Sequence, residues 1–158
     1  GLKSLTNNYQ SYSASLERKI FNFGDYDKIK ILPLICYEII YSGKLSKDID
    51  YNIIINISED GWFGNSIGPY QHFAHTVFRS IEYGKYTLRS ANNGISAIVD
   101  PSGAILEKIN LNNEGVISIK QIKKVDKTLF SELGNKMYFL IILLYIFLIF
   151  LFMRLKNE

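Results

Sequence analysis

The sequence is poor in the residues that build disulfide frameworks and metal cages. Its 158 residues contain one cysteine, Cys36, and two histidines, His72 and His75. A single thiol excludes an internal disulfide and any multi-cysteine metal site. The histidines form an HxxH pair with no third histidine to complete a ligand set, so we expect no metal and no other cofactor. An excess of one charge is lacking too. The 18 basic and 15 acidic side chains leave a net charge of +3, too little for an electrostatic case for nucleic acid. With 47% hydrophobic and 21% charged residues the chain is neither disordered nor collagen-like. Its length suits one domain. The start at Gly1 offers neither an initiator Met nor a signal-like apolar segment, so we expect a fragment or a processed piece.

The apolar content that is present is unevenly spread. Met137 to Met153 reads MYFLIILLYIFLIFLFM, seventeen residues without a charge. As a helix this run is about 26 Å long, close to the roughly 30 Å hydrocarbon core of a bilayer. Lys136 and Arg154 lengthen the span by snorkelling. A core helix would carry a polar face, and this one carries none, so residues 137–155 are expected to form a transmembrane helix. Arg154 and Lys156 follow it, whereas Lys120, Lys123, Lys124, Lys127 and Lys136 precede it. The two groups argue for opposite orientations, and charge leaves the orientation open.

The rest of the chain alternates strand and helix signals. Residues 1–28 are polar and weakly patterned, a loop-rich lead-in. Lys28 to Cys36 reads as a buried strand in which Pro33 marks an edge, a bulge or an end. Tyr37 to Leu45 suggests a short helix stopping near Gly43. Asp50 to Ser58 is a strong strand, and EDGWFGNSIGP at 59–69 a glycine-rich loop. Tyr70 to Lys85 predicts an amphipathic helix with Phe73, Val77 and Ile81 on its apolar stripe and Arg79 and Glu82 off it. A strand at Tyr86 to Ser90 follows. Gly94 to Asp100 and Ala104 to Ile109 flank the turn Pro101-Ser102-Gly103 as a hairpin. Gly115 to Ile122 alternates apolar and polar residues as a last half-exposed strand. This order predicts an α/β layered domain over 29–130, with only two βα units before the hairpin.

Cys36 closes an apolar strand and opens a helix. The positive end of a helix dipole favours a thiolate there, and such a turn lifts a nucleophile above a sheet. A lone cysteine is also commonly just a buried structural residue. Glu38, in the same turn, has two readings as well, a partner of the site or a solvated helix residue. Trp62, flanked by glycines, suits a lipid interface and equally suits a core anchor for its loop.

Three blocks taken together are more specific than any single residue. ICYEII at 35–40, NISEDGWFGNSIGPYQHF at 56–73 and LRSANNGISAIVDPSG at 88–103 closely resemble the bacterial apolipoprotein N-acyltransferase family, a membrane branch of the nitrilase superfamily. The resemblance implies an αββα sandwich, here partial, followed by one transmembrane helix. It implies ping-pong transfer of an acyl chain from a phospholipid, through a cysteine thioester, to the N-terminal amine of a diacylated lipoprotein. In this resemblance Cys36 is the nucleophile and Glu38 a catalytic neighbour. Tyr37, Trp62, Phe63, Arg89, Asn92 and Asn93 are expected on the substrate side. The implied setting is the bacterial inner membrane with the nitrilase-like domain on the periplasmic side. The partners would be the phospholipid donor, the diacylated apolipoprotein acceptor and the membrane, with no nucleic acid.

The family's base Glu and its Lys precede the cysteine, in motifs that residues 1–35 do not match. Glu17, Lys19, Lys28 and Lys30 lack the context. We therefore expect a C-terminal portion, inactive alone, that works with an N-terminal half of the same enzyme. Two competing readings remain at this point. One is a nitrilase-type C–N hydrolase, which gives no reason for the membrane helix. The other is an inactive membrane-anchored remnant.

Overall fold

The structure, a computed structural model, describes residues 18–24, 29–43, 45 and 50–156. Most of the expected lead-in at 1–28 lies outside the described residues. Six strands form one sheet in the order β1 to β6. They are β1 (Phe21–Phe23), β2 (Ile29–Ile35), β3 (Ile53–Glu59), β4 (Tyr86–Asn92), β5 (Ser96–Val99) and β6 (Ile105–Ile109). The central strands β2, β3 and β4 run parallel, and β1, β5 and β6 extend the sheet antiparallel at its two sides. Parallel neighbours require a crossover. Between β3 and β4 it is helix α1 (Gly68–Tyr83). Pro69 sits in its first turn, where no intrahelical N–H is lost, and Gly84 ends it at φ 61°, a left-handed value that favours glycine.

The ladder register sorts the strand residues into two faces. Leu32, Ile54 and Thr87 form one rung and Leu34, Asn56 and Arg89 the next. These residues face α1 and are buried. Leu32, Leu34, Ile39, Leu45, Tyr51, Ile54 and Tyr83 make one apolar cluster, and Phe73, Ile95, Ala97 and Val99 a second. The other face carries Ile31, Ile53, Ile55 and Leu88. There a cavity of about 830 Å³ lies between the sheet and the chain at 119–125.

Three expectations are corrected. The helix expected over Tyr37 to Leu45 is a five-residue 3₁₀ turn, Cys36–Ile40. So short a turn has almost no macrodipole, and the dipole argument for a Cys36 thiolate loses its basis. The buried side of α1 matches the apolar stripe only in part, at Phe73 and at Val77 packed beside it. Arg79 is 3% exposed, because Ile40 O and Glu82 accept from its two terminal nitrogens, whereas Ile81 is 45% exposed. Residues 115–122 form no strand. They lie against the open sheet face, with Ile119 and Ile122 lining the cavity, and a segment on a face has no ladder to join. Their alternation survives only in burial: Ile117 and Ile119 are half-buried, while Val116 is 95% exposed.

A short helix α2 (Leu129–Leu133) leads to α3 (Lys136–Lys156). The 21 residues of α3 are long and apolar enough to cross a membrane, and none of them is buried. A core helix would be mostly buried, and among the described residues this one is not.

Candidate active site

Strand β2 ends at Ile35, and the next residue, Cys36, has φ 49°. A left-handed backbone at a residue with a Cβ costs energy and recurs at functional sites. It turns the chain abruptly from strand into the 3₁₀ turn at the carboxyl end of a parallel strand, the end at which open α/β sheets place their ligands. Cys36 is half-buried. Asn56 Nδ2 holds the turn by donating to Leu34 O at 3.1 Å and Cys36 O at 3.3 Å. The Glu38 carboxylate accepts from Ile35 N at 2.7 Å and meets Arg18 at 3.4 Å. Glu38 thus braces the backbone that carries the thiol.

Beneath the sulfur lies a buried polar cluster. Asn56, Ser58 and Asp60 follow one another at alternate positions of β3 and its end, so all three point toward α1. Ser58 Oγ lies 3.7 Å from Cys36 Sγ and 2.8 Å from Asp60 Oδ1. Arg89 Nη2 donates to both Asp60 oxygens at 3.0 and 2.8 Å, Arg89 Nη1 donates to Asn56 Oδ1, and Arg89 Nε donates to Ile95 O at 3.2 Å. His72, from the first turns of α1, places Nδ1 2.8 Å from Asp60 Oδ1. Burial pushes the Asp60 carboxyl up, but the bonds from His72 and Ser58 and the Arg89 charge outweigh it and hold it below the usual carboxylate range. Burial lowers the Arg89 guanidinium, with Asp60 opposing. Gly94 is the residue that lets Asp60 fit, since a Cβ there would stand 2.4 Å from Asp60 Oδ2.

The remaining expected site residues divide into two groups. Tyr37, half exposed, stacks its ring 5.3 Å from that of His72 at a tilt, and Phe63 meets the same imidazole edge-on at 5.6 Å. His72 therefore joins the Cys36 turn to the glycine-rich loop. Trp62 is 83% exposed, which removes the core-anchor alternative. Asn92 and Asn93 do not reach the thiol. With Gly61 N they bond the Glu59 carboxylate, and these bonds hold it below the usual range. Arg89 is buried at its rung and meets side chains of the protein. Among the described residues no group of three or more His, Cys, Asp and Glu side chains could hold a metal ion. His72 is committed to Asp60, and its Nε2 has no hydrogen-bond partner.

Sequence reasoning missed Asn56, Ser58, Asp60 and His72. The signal was available: three polar residues at alternate positions closing an otherwise isoleucine-rich strand must share one face.

Comparison with known proteins gives this geometry relatives. The family pattern described as carbon-nitrogen hydrolase matches residues 6–126. The chain is 44% identical over 129 residues to the apolipoprotein N-acyltransferase of Rickettsia bellii, covering 80% of this chain and 25% of that protein. It is 48% identical over 110 residues to that of Rickettsia typhi, covering 68% and 22%. It therefore spans about a quarter of the length of these curated relatives. Among solved structures, a CN-hydrolase superfamily protein of Xanthomonas campestris matches with a TM-score of 0.51 at 16% identity, over 65% of this chain and 43% of the other. That likeness speaks for the fold alone.

Proposed function

Because this chain belongs to the carbon–nitrogen hydrolase family, we propose that it carries the nucleophile-bearing part of an enzyme that acylates the N-terminal amine of diacylated lipoproteins. The observation that carries the reading is Cys36, at φ 49° on the carboxyl end of a parallel strand, with its sulfur beside the Ser58–Asp60–Arg89 cluster. The names and identities of the relatives in the two Rickettsia species support the same chemistry.

The thiolate of Cys36 attacks the ester carbonyl of a phospholipid. The tetrahedral intermediate collapses, the lysophospholipid alkoxide leaves with a proton, and the acyl chain stays on sulfur as a thioester. The free amine of the acceptor then attacks the thioester, an amide forms, and the thiol is regenerated after the ammonium proton is lost. Both steps need a base and donors for the oxyanion. In this reading the base Glu and the Lys of the superfamily triad come from sequence outside these 158 residues, in keeping with the quarter-length span. Glu38 keeps the turn in register with the substrate. Tyr37 and Phe63, on either side of His72, line the approach to the thiol. Exposed Trp62 meets lipid at the mouth, and Asn92 and Asn93 shape the rim through Glu59. Arg89 serves the substrate side from below, through Asp60 and Asn56.

Residues 29–130 are the catalytic portion, and 137–155 anchor it in the bacterial inner membrane with the domain on the periplasmic side. The partners are the phospholipid, the diacylated apolipoprotein and the N-terminal portion of the enzyme. In the open face of the sheet we read the seat of the second sheet of an αββα sandwich. The test is N-acylation of a diacylated lipopeptide by the longer protein. Cys36→Ser should remove it, because an alkoxide is far harder to form at neutral pH than a thiolate. Undiminished acylation by the Ser variant overturns the assignment. For the anchor, Leu144→Asp with Ile146→Asp should weaken insertion by roughly 5–7 kcal/mol and release the chain from membranes washed in alkaline carbonate. Retention as a folded species contradicts the span.

A further inference from the structure

The Ser58 hydroxyl has one hydrogen and two acceptors within reach, Asp60 Oδ1 at 2.8 Å and Cys36 Sγ at 3.7 Å. It cannot donate to both at once. While Cys36 is a thiol, the carboxylate is the stronger acceptor and takes the hydrogen, and the S–H faces an oxygen lone pair. When Cys36 becomes a thiolate, the sulfur bears a full charge with no other donor of the cluster in reach, whereas the nearer carboxylate keeps its bonds from Arg89 and His72. Rotation about a single C–O bond then turns the hydrogen to sulfur.

Asp60 tolerates that loss. It keeps Arg89 Nη2 on both oxygens and His72 Nδ1 on Oδ1. Ser58 is 6% exposed, so solvent does not readily take over its role. The other charged or titratable groups near the thiol are committed elsewhere. Glu38, on the same turn, bonds Ile35 N and Arg18. His72 from α1 and Arg89 from β4 are bound to Asp60. Tyr37 stacks on His72. Ser58 is the one donor of the cluster within bonding distance of sulfur among the described residues.

We propose that Ser58 is a positioning residue that passes its hydrogen bond from Asp60 to the Cys36 sulfur when the thiol ionises, so that the thiolate gains a buried donor. The thiol proton goes to the base or to solvent, and Ser58 keeps its own hydrogen throughout. The inference rests on Cys36 as nucleophile, but its test needs no acyl transfer. Cys36 is the only cysteine in the chain, so alkylation of the 158-residue protein in detergent by iodoacetamide, followed by mass spectrometry across pH, reads this thiolate alone.

Ser58→Ala should slow alkylation at pH 7 roughly tenfold, the worth of a hydrogen bond to a charged group. It should move the half-maximal pH upward by about one unit and leave the high-pH plateau unchanged. Ser58→Thr should restore the wild-type profile. Should Ser58→Ala fail to fold, the Ser58→Thr and Ser58→Val pair, alike in shape and different in the hydroxyl, gives the same contrast. A Ser58→Ala profile that superimposes on wild type, or Thr and Val variants that behave alike, overturns the proposal. Acylation retained by Cys36→Ser would instead remove the nucleophile reading and leave the alkylation result standing, so the two failures are distinguishable.

Discussion

The two faces of the sheet are built from the same strands and finished to different degrees. Toward α1, the ends of β3 and β4 bury Asn56, Ser58, Asp60 and Arg89 in a mutually bonded cluster, with apolar clusters beside it. Away from α1, Ile35 and Ile57 are 70% and 62% exposed and a cavity remains under the chain at 119–125. A buried charge must be paired where it lies, so the site face has to be complete for the domain to fold. Isoleucines on a sheet face require only cover, and cover can come from elsewhere. The contrast teaches that the polar groups beside the thiol are paired with one another, while the opposite face still presents apolar side chains without cover among the described residues.

The largest expected effect comes from breaking the finished face. Asp60→Ala strands the Arg89 guanidinium in the interior and should cost about 3–5 kcal/mol, read as unfolding by denaturant in detergent. Ile57→Ala, on the open face, should stay within about 0.5 kcal/mol in this chain. Equal costs would abolish the contrast. Next in size, Ile54→Ala removes a side chain with no exposure and should cost about 2–5 kcal/mol. The same measurement in the longer protein sharpens the comparison. If a second sheet covers the open face, Ile57→Ala should there rise toward the cost of Ile54→Ala, and an unchanged value would argue against that cover. Gly94→Ala should follow at about 1–3 kcal/mol, because its Cβ drives against the Asp60 carboxylate.

The smallest effect is the response to acid. The Asp60 carboxyl is held below its ordinary value, so its contribution to stability is present above the unfolded value of about 3.9. That contribution is lost as the pH falls through the folded value. Acid unfolding followed by circular dichroism should therefore begin near the ordinary carboxylate range in the wild type. It should be less steep in Asp60→Asn, and identical pH dependence in the two would remove Asp60 from the account.

Much of the architecture was legible in the sequence, because β2, β3, α1 and the β5–β6 hairpin each carry a clear period and a turn signal. Cys36 was legible as a strand-ending thiol, and the CYE, GWFG and RSANNG blocks pointed to the candidate site around it. The dipole argument failed because the sequence after Cys36 supports one tight turn and no longer helix. Arg79 read as solvent-facing, since a charge on an amphipathic helix normally is. Its burial depends on Ile40 O, 39 residues away, which no local pattern reveals. The alternation at 115–122 has the period of a strand, but period cannot supply a neighbouring edge. His72 was weighed only as a metal ligand, and its bond to Asp60, twelve residues earlier, exists because α1 folds back over β3.

The account turns on one atom, the sulfur of Cys36. The longer protein should be incubated with a phospholipid bearing a labelled acyl chain and without acceptor, then digested and analysed by mass spectrometry. The account predicts label on the peptide containing Cys36, released by hydroxylamine as a thioester is and lost in Cys36→Ala. Label on another residue, or label resistant to hydroxylamine, would contradict it.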